Sequence, residues 1–344
     1  MTTKELDRQY IAPTYGRFPV EIVSGKGSLV TDDEGREYID MGTGIAVNTF
    51  GLSDPEWIAA VTAQLGKFQH TSNLYYAAPC AELAEMLCPA AGMKKVFFGN
   101  SGAEANECAI KAARKYAQDK KGAEYYNIIT LKNSFHGRTL TTLAATGQDV
   151  FHELFQPLTP GFVTVPVDLA AIEAQVSKGS VAGILFEPVL GEGGVLDLPR
   201  DFVQGLRAIC DREDIVLMCD EVQTGNGRTG RLYGYMNFDI VPDVVSTAKG
   251  LGGGHRQGNA AGLHGQDQLR RVRPESLGKG LPHGSHQRRV DAVVQKAVYL
   301  HNIRPESSAF PLDGLLQLLH DFTLPFLSFP VSFYPNFRAY ARRT

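Results

Sequence analysis

Six short apolar runs separated by helical stretches constrain what this chain can fold into more than any other feature. They are Lys95-Val96-Phe97-Phe98, Asn127 to Leu131, Phe162 to Val165, Val181 to Phe186, Ile215 to Cys219 and Asp243 to Ser246. Runs of this length, rich in branched aliphatics and lacking polar alternation, fit strands buried on both faces. The helical stretches lie at Glu104 to Gln118, with Ala105, Cys108, Ala109 and Ala112 on one face, at Leu169 to Val176 and at Arg200 to Arg212. Strand and helix in alternation predict an α/β fold, a mainly parallel sheet flanked by helices. In open sheets of that kind ligands bind beyond the carboxyl ends of the strands, so the residues after each run are where a site is expected.

Upstream, Val20 to Val23 and Ser28 to Thr31 alternate, Asp32-Asp33-Glu34-Gly35 reads as a turn, and Glu37 to Asp40 resumes, a small β meander within residues 1–50. Asp54 is a cap and Pro55 a first helical residue for a helix through Ile58, Val61 and Leu65, and a second helix runs from Pro79 through Leu83, Met86 and Leu87. A chain of 344 residues with 43% hydrophobic content can bury a large core. The expected division is an N-terminal segment 1–50, a large domain 51–254 and a tail 255–344. A formal net charge of −3 offers no global attraction to nucleic acid or an anionic membrane, so small molecules or proteins are the expected partners. The five cysteines show no CxxC spacing, which predicts reduced thiols in a cytoplasmic protein and no metal site. The polar N-terminus lacks the apolar core of a signal peptide, and no apolar run reaches spanning length.

From His255 onward the alternation is lost. Six of the nine histidines fall in the last 90 residues, and residues 255–290 are rich in Arg, Gly, His and Gln. Val290 to Val294 is weakly apolar, and Phe322 to Tyr340 carries aromatics broken by Pro325, Pro330 and Pro335. Residues 255–344 therefore read as a divergent tail, out of frame or disordered.

The strand ends carry the chemistry. Ile215 to Cys219 stops at Asp220-Glu221, and Val244-Val245 leads through Ser246-Thr247-Ala248 to Lys249 and a glycine run. An acid and an amine at neighbouring strand ends suit a pyridine cofactor, the acid on the ring nitrogen and the amine on an aldehyde. An ordinary core whose strands end in polar residues fits these two residues equally well. Gly99-Asn100-Ser101-Gly102-Ala103-Glu104 joins a strand to an Ala-rich helix, as a phosphate cradle or simply a helix cap. Phe135-His136-Gly137-Arg138 offers a ring to cover a flat ligand and a cation for a carboxylate, or a loop with a surface arginine. Glu187-Pro188 and Gly191-Glu192-Gly193-Gly194 place two acids in a Gly-rich loop that serves proton transfer or is a solvated turn.

Taken in order, Ser101-Gly102-Ala103-Glu104-Ala105-Asn106-Glu107, Phe135-His136-Gly137-Arg138-Thr139, Glu187-Pro188 with Gly191-Glu192-Gly193, Asp220-Glu221-Val222-Gln223-Thr224-Gly225 and Ala248-Lys249-Gly250 resemble the class-III aminotransferases of fold type I. Those enzymes use pyridoxal phosphate. The likeness covers about residues 10–253, and after it only His283-Gly284-Ser285 echoes a family stretch. Tyr15-Gly16-Arg17, Asn73-Leu74-Tyr75-Tyr76 and Ala81-Glu82-Leu83-Ala84 point to the subgroup acting on N-acetylornithine and, in many organisms, succinyldiaminopimelate. Ornithine and γ-aminobutyrate aminotransferases are the neighbouring readings, and an inactive remnant that only binds cofactor or a partner is the other.

The resemblance implies that Lys249 joins the cofactor aldehyde, Asp220 pairs with the pyridinium nitrogen, and Val222 and Phe135 sandwich the ring. It implies that Ser101, Gly102 and Ala103 hold the phosphate and that Gln223 reaches the ring hydroxyl. On the substrate side it assigns Arg138 to the α-carboxylate, Glu192 to a gate and Tyr15 to the side chain, with 2-oxoglutarate as acceptor and a homodimer as the assembly.

Overall fold

The computed structural model describes residues 1–253 and the strand Lys296–Leu300, all within one unit, Met1–Asn302. Helix α1 (Thr3–Tyr10) starts on a capping box in which Thr2 Oγ1 accepts the Glu5 N–H and Glu5 accepts the Thr2 N–H. The meander follows as β1 (Ile22–Lys26), β2 (Leu29–Asp32) and β3 (Glu37–Ile39), an antiparallel sheet in that order. Its turn is held by Asp32, whose carboxylate accepts from Glu34 N, Arg36 N, Arg36 Nε and Tyr38 Oη. A single turn α2 (Thr43–Ala46) leads to α3 (Pro55–Leu65), where Asp54 Oδ1 accepts the Trp57 N–H at 2.9 Å, and then to α4 (Ala78–Ala90).

The alternating part begins with β4 (Lys95–Gly99) and the 20-residue helix α5 (Gly102–Lys121). It continues through β5 (Asn127–Leu131), α6 (Leu140–Ala145), β6 (Phe162–Val165), α7 (Leu169–Val176) and β7 (Val181–Phe186). A short antiparallel pair, β8 (Val189–Leu190) and β9 (Leu196–Asp197), precedes α8 (Arg200–Glu213), β10 (Val216–Asp220), β11 (Val244–Ser246) and β12 (Lys296–Leu300). The large sheet has the order β4-β12-β11-β10-β7-β5-β6. β11, β10, β7, β5 and β6 are mutually parallel, and β12 runs antiparallel to both β4 and β11.

Residues of β10 alternate between two cores. Leu217 and Cys219 join one with Leu83 and Leu87 of α4 and Phe202, Val203, Leu206 and Ile209 of α8. Val216 and Met218 join the other with Ala105, Cys108, Ala109, Ala113 and Ala117 of α5. The alanine face lets α5 lie close to the sheet, which fixes where its N-terminus meets the strand ends. Each fully buried Leu or Ile of the α8 face contributes on the order of 1.5–3 kcal/mol.

The six apolar runs appear as strands, with ends shifted by no more than a residue. The structure adds α1, α6 and the β8/β9 pair to the sequence reading. It also adds β12, which lies in the stretch where the sequence showed no alternation. Its pairing on both sides supplies ladder partners for β4 and β11, whose facing edges would otherwise lie open inside the sheet. The expectations for residues 255–290 and 322–340 lie outside the described residues. No helix among the described residues is long and apolar enough to cross a membrane.

Candidate functional site

β10 and β11 are neighbours in register, with Asp220 opposite Ser246. Each ends at the same edge of the sheet, so the acid at the end of one and the lysine three residues past the end of the other open onto common ground. Lys249 begins a tight helical turn, Lys249–Gly252, with φ of 45°. That left-handed backbone is sparsely populated for a residue with a side chain and is held by its surroundings. Asn226 Nδ2 donates to Ala248 O at 3.0 Å, and Thr49 Oγ1 donates to Gly250 O at 3.2 Å. The Lys249 amine is half-buried, and burial pushes its pKa below the ordinary lysine value against the pull of Glu192 and Asp220.

Asp220 is buried and its carboxylate is oriented from three directions. Oδ2 accepts from Asn106 Nδ2 at 2.7 Å and lies 2.8 Å from His136 Nδ1, and Oδ1 accepts the Val222 N–H at 3.0 Å. Asn106 is itself locked, since its amide also donates to His136 O and its oxygen accepts from Ser246 Oγ. Asn106 and Ser246 were named in the sequence only as parts of longer motifs, and His136 only beside Phe135. Their link to Asp220 spans 114 residues in one case and 84 in the other, which no local pattern discloses. Glu187 lies in the same wall. Burial, and after it the Asp220 charge, push its carboxyl well above the usual carboxylate range, while Oε2 accepts the Phe135 N–H at 2.8 Å.

The N-terminus of α5 supplies the opposite end. Ser101 is its N-cap, and Ser101 Oγ accepts the Glu104 N–H at 3.0 Å. The next two N–H groups, of Gly102 and Ala103, form no hydrogen bond among the described residues and lie on the cavity wall. Unpaired amides at a helix start with the dipole behind them suit an anion. Glycine is required at 102 because a Cβ there would stand 2.8 Å from Val222 Cγ1, and at 137, where φ is +134° and a Cβ would meet Ala103 Cβ at 2.9 Å.

These groups enclose a cavity of about 670 Å³. Ten of the eleven residues expected from the sequence line it: Tyr15, Gly102, Ala103, Phe135, Arg138, Glu192, Asp220, Val222, Gln223 and Lys249. Ser101 does not, and its hydroxyl caps the helix beside the two free amides. Gln223 Nε2 donates to Glu192 Oε1 at 3.1 Å, so the amide expected at a ring hydroxyl and the acid expected at the gate are paired with each other. Arg138 is exposed at the rim with its guanidinium against Phe151 and Phe135. No group of three or more His, Cys, Asp or Glu suited to a metal occurs among the described residues. Free helix-start amides, an amine of lowered pKa and an oriented carboxylate in one cavity fit a phosphorylated pyridine aldehyde, each at the part of the molecule it would meet.

Comparison with known proteins agrees with this arrangement. The aminotransferase class-III family profile matches residues 10–284, so the likeness continues past Gly253, where the sequence reading ended it, to His283-Gly284. Acetylornithine aminotransferase of Haemophilus ducreyi (strain 35000HP / ATCC 700724) is 50% identical over 252 residues, 73% of this chain and 64% of that protein. Succinylornithine transaminase of Citrobacter koseri is 45% identical over 73% of this chain and 62% of its own length. The crystal structure of N-acetylornithine aminotransferase from Stenotrophomonas maltophilia K279a superposes with a TM-score of 0.63 at 38% identity, covering 78% of this chain and 66% of that one. The chain thus spans under two thirds of the length of the two curated relatives. With the profile covering most of its residues and half of its aligned positions identical to one such relative, the chain belongs to the class-III aminotransferases.

Proposed function

We propose that the protein is a pyridoxal-phosphate-dependent aminotransferase that moves the terminal amino group of N-acetylornithine, or of a similarly acylated diamino acid, to 2-oxoglutarate. One observation carries the reading: Lys249, with its amine pKa lowered by burial, and Asp220, oriented by three donors, open onto one cavity from adjacent strand ends. The names of the most similar relatives favour an acylated ornithine over free ornithine as donor.

When bound, pyridoxal phosphate supplies an aldehyde that takes the amine and a ring that accepts the electron pair of the carbon losing its proton. The chain's own groups do the rest. Gly102 N, Ala103 N and the Ser101 hydroxyl bind the phosphate at the start of α5. Asp220 would hold the proton on the ring nitrogen, and Asn106 and His136 keep its carboxylate aimed. Val222 and Phe135 would cover the ring, and Gln223 would serve its hydroxyl. Lys249 would hold the cofactor through its amine, and as a free amine its Nζ would take the proton from the donor's terminal carbon. Its lowered pKa leaves more of it as free base near neutral pH than an exposed lysine would have. Arg138 binds the α-carboxylate, Tyr15 meets the substrate's chain, and Glu192 leaves Gln223 when the acceptor's second carboxylate enters. The same residues would serve 2-oxoglutarate as acceptor.

A homodimer in the cytoplasm completes the proposal. The side chains of Leu74, Tyr75 and Tyr76 are exposed at 78%, 71% and 109%, a surface fitted to a second copy, and the free thiols suit a reducing compartment. The division at 1–50, 51–254 and 255–344 is kept for the segment, the cofactor domain and the tail, with residues 296–300 joined to the second of these.

The test is a titration of the purified protein with pyridoxal phosphate followed by visible absorbance and by borohydride trapping. The native chain is expected to bind the cofactor covalently and to lose the visible band when N-acetylornithine is added. Lys249→Ala is expected to show neither covalent trapping nor turnover. Covalent labelling that persists in Lys249→Ala would sink the assignment.

A further inference from the structure

Arg138 is a long cation at the rim of the cavity, exposed, and among the described residues it forms no ion pair or hydrogen bond. A side chain of that kind loses rotamer freedom when it grips a carboxylate, and the loss weakens binding unless something already holds it. Two rings hold it here. The guanidinium carbon lies 4.7 Å from the centroid of Phe151 and 5.8 Å from that of Phe135. The rings meet edge to face, 5.6 Å apart with an interplanar angle of 73°. Phe135 lines the cavity, and Phe151 is not among the residues that line it.

Phe151 is in turn fixed. It closes the short helical turn Asp149–Phe151, and the next residue, His152, has Nε2 within 3.0 Å of Leu143 O and 2.8 Å of Thr146 O at the end of α6. Two carbonyl acceptors require that nitrogen to carry the proton. The turn is thereby tied to α6, whose C-terminal Thr146 also receives the His136 N–H on Oγ1 at 3.0 Å. The cavity loop and the turn that carries Phe151 share one anchor.

We infer that Phe151 is a positioning residue that presents the Arg138 guanidinium to the substrate's carboxylate. The ring face attracts the cation and leaves the in-plane N–H fork free, which is the geometry a carboxylate takes bidentately. The inference rests on the assignment of Arg138 to the α-carboxylate, and the two are separable by experiment.

The probe is N-acetylnorvaline, which carries the acylamino carboxylate of the proposed donor but no transferable amine, so its dissociation constant reads binding without turnover. Calorimetry on the cofactor-loaded native protein is compared with F151A, F151L, F151Y and R138A. Loss of a cation–ring contact at an exposed site is expected to weaken binding roughly two- to fivefold in both F151A and F151L. F151Y, which keeps the ring, restores the native value. For N-acetylornithine turnover, KM is expected to rise by the same factor in F151A and F151L while kcat changes less than about twofold. F151L keeps most of the bulk, so it stays informative if F151A is poorly folded. If R138A binds the probe as the native protein does, the Arg138 assignment fails. If R138A weakens binding while F151L does not, the assignment stands and the inference about Phe151 is overturned.

Discussion

Lys249 is the residue whose chemistry most depends on where the chain puts it. Burial lowers its pKa below the 10.5 of an ordinary lysine, so in the cofactor-free protein the fold carries a charged amine it does not favour at neutral pH. Because the folded pKa lies below the unfolded one, the unfolded chain binds more protons between the two values, and stability rises with pH across that window. Cofactor-free Lys249→Met is therefore expected to unfold at a higher urea midpoint than the native chain at about pH 7. The advantage should shrink as pH climbs toward 10.5. Equal midpoint differences at about pH 7 and about pH 10 would show that the amine carries no such penalty. At this scale the sequence disclosed the reactive side chains and concealed their supports. Asp220 and Lys249 were visible because apolar runs stop at them. Asn106 sits in an Ala-rich helical face, where nothing local tells that its amide reaches across 114 residues.

Elements were legible where packing and propensity agree. Apolar runs buried on both faces appeared as strands, and Asp54-Pro55 opened a helix as cap chemistry requires. The Thr2-to-Glu5 spacing is a start signal of the same kind, without an apolar period behind it because residues 3–10 bury nothing. The loop after β10 had no periodicity to read, and Glu221 gathers four of its donors and neighbours onto one carboxylate. Glu221 Oε2 accepts from Thr224 Oγ1 at 2.6 Å and Gly234 N at 2.8 Å, and Oε1 accepts from Tyr235 N at 2.7 Å and Cys219 Sγ at 3.5 Å. Glutamine has one acceptor oxygen, so Glu221→Gln turns an NH2 toward two of these donors. That is expected to cost about 1–3 kcal/mol, read from the urea midpoint at neutral pH. Burial pushes the Glu221 pKa up to about 7 from 4.5. A raised folded pKa contributes stability that is complete below 4.5 and lost as pH passes about 7. The deficit of the Gln variant should accordingly narrow as pH rises through that range.

In the molecule as a whole, the cavity depends on a sheet that draws its strands from distant parts of the chain. β12 was hidden in the sequence because its five residues follow a long stretch rich in Arg, His and Gly, with no helix pattern between it and β11. It nevertheless pairs β4, which leads into the start of α5, with β11, which leads to Lys249. The two ends of the proposed cofactor site are thus tied together through β12. Val298 stands opposite Ser246 at the end of the β11 ladder and opposite Phe97 at the middle of the β4 ladder. Proline there removes a backbone N–H and is poorly tolerated between two partners. Val298→Pro is expected to lower stability by about 1–3 kcal/mol, the cost of leaving a buried partner unpaired. Because β4 and β11 lose their common neighbour, it should also weaken pyridoxal phosphate binding, while Lys249 and Asp220 remain in place in the sequence. Urea midpoint and cofactor dissociation constant are measured together. A variant matching the native chain in both would remove β12 from the sheet and leave β4 and β11 to be paired by some other segment.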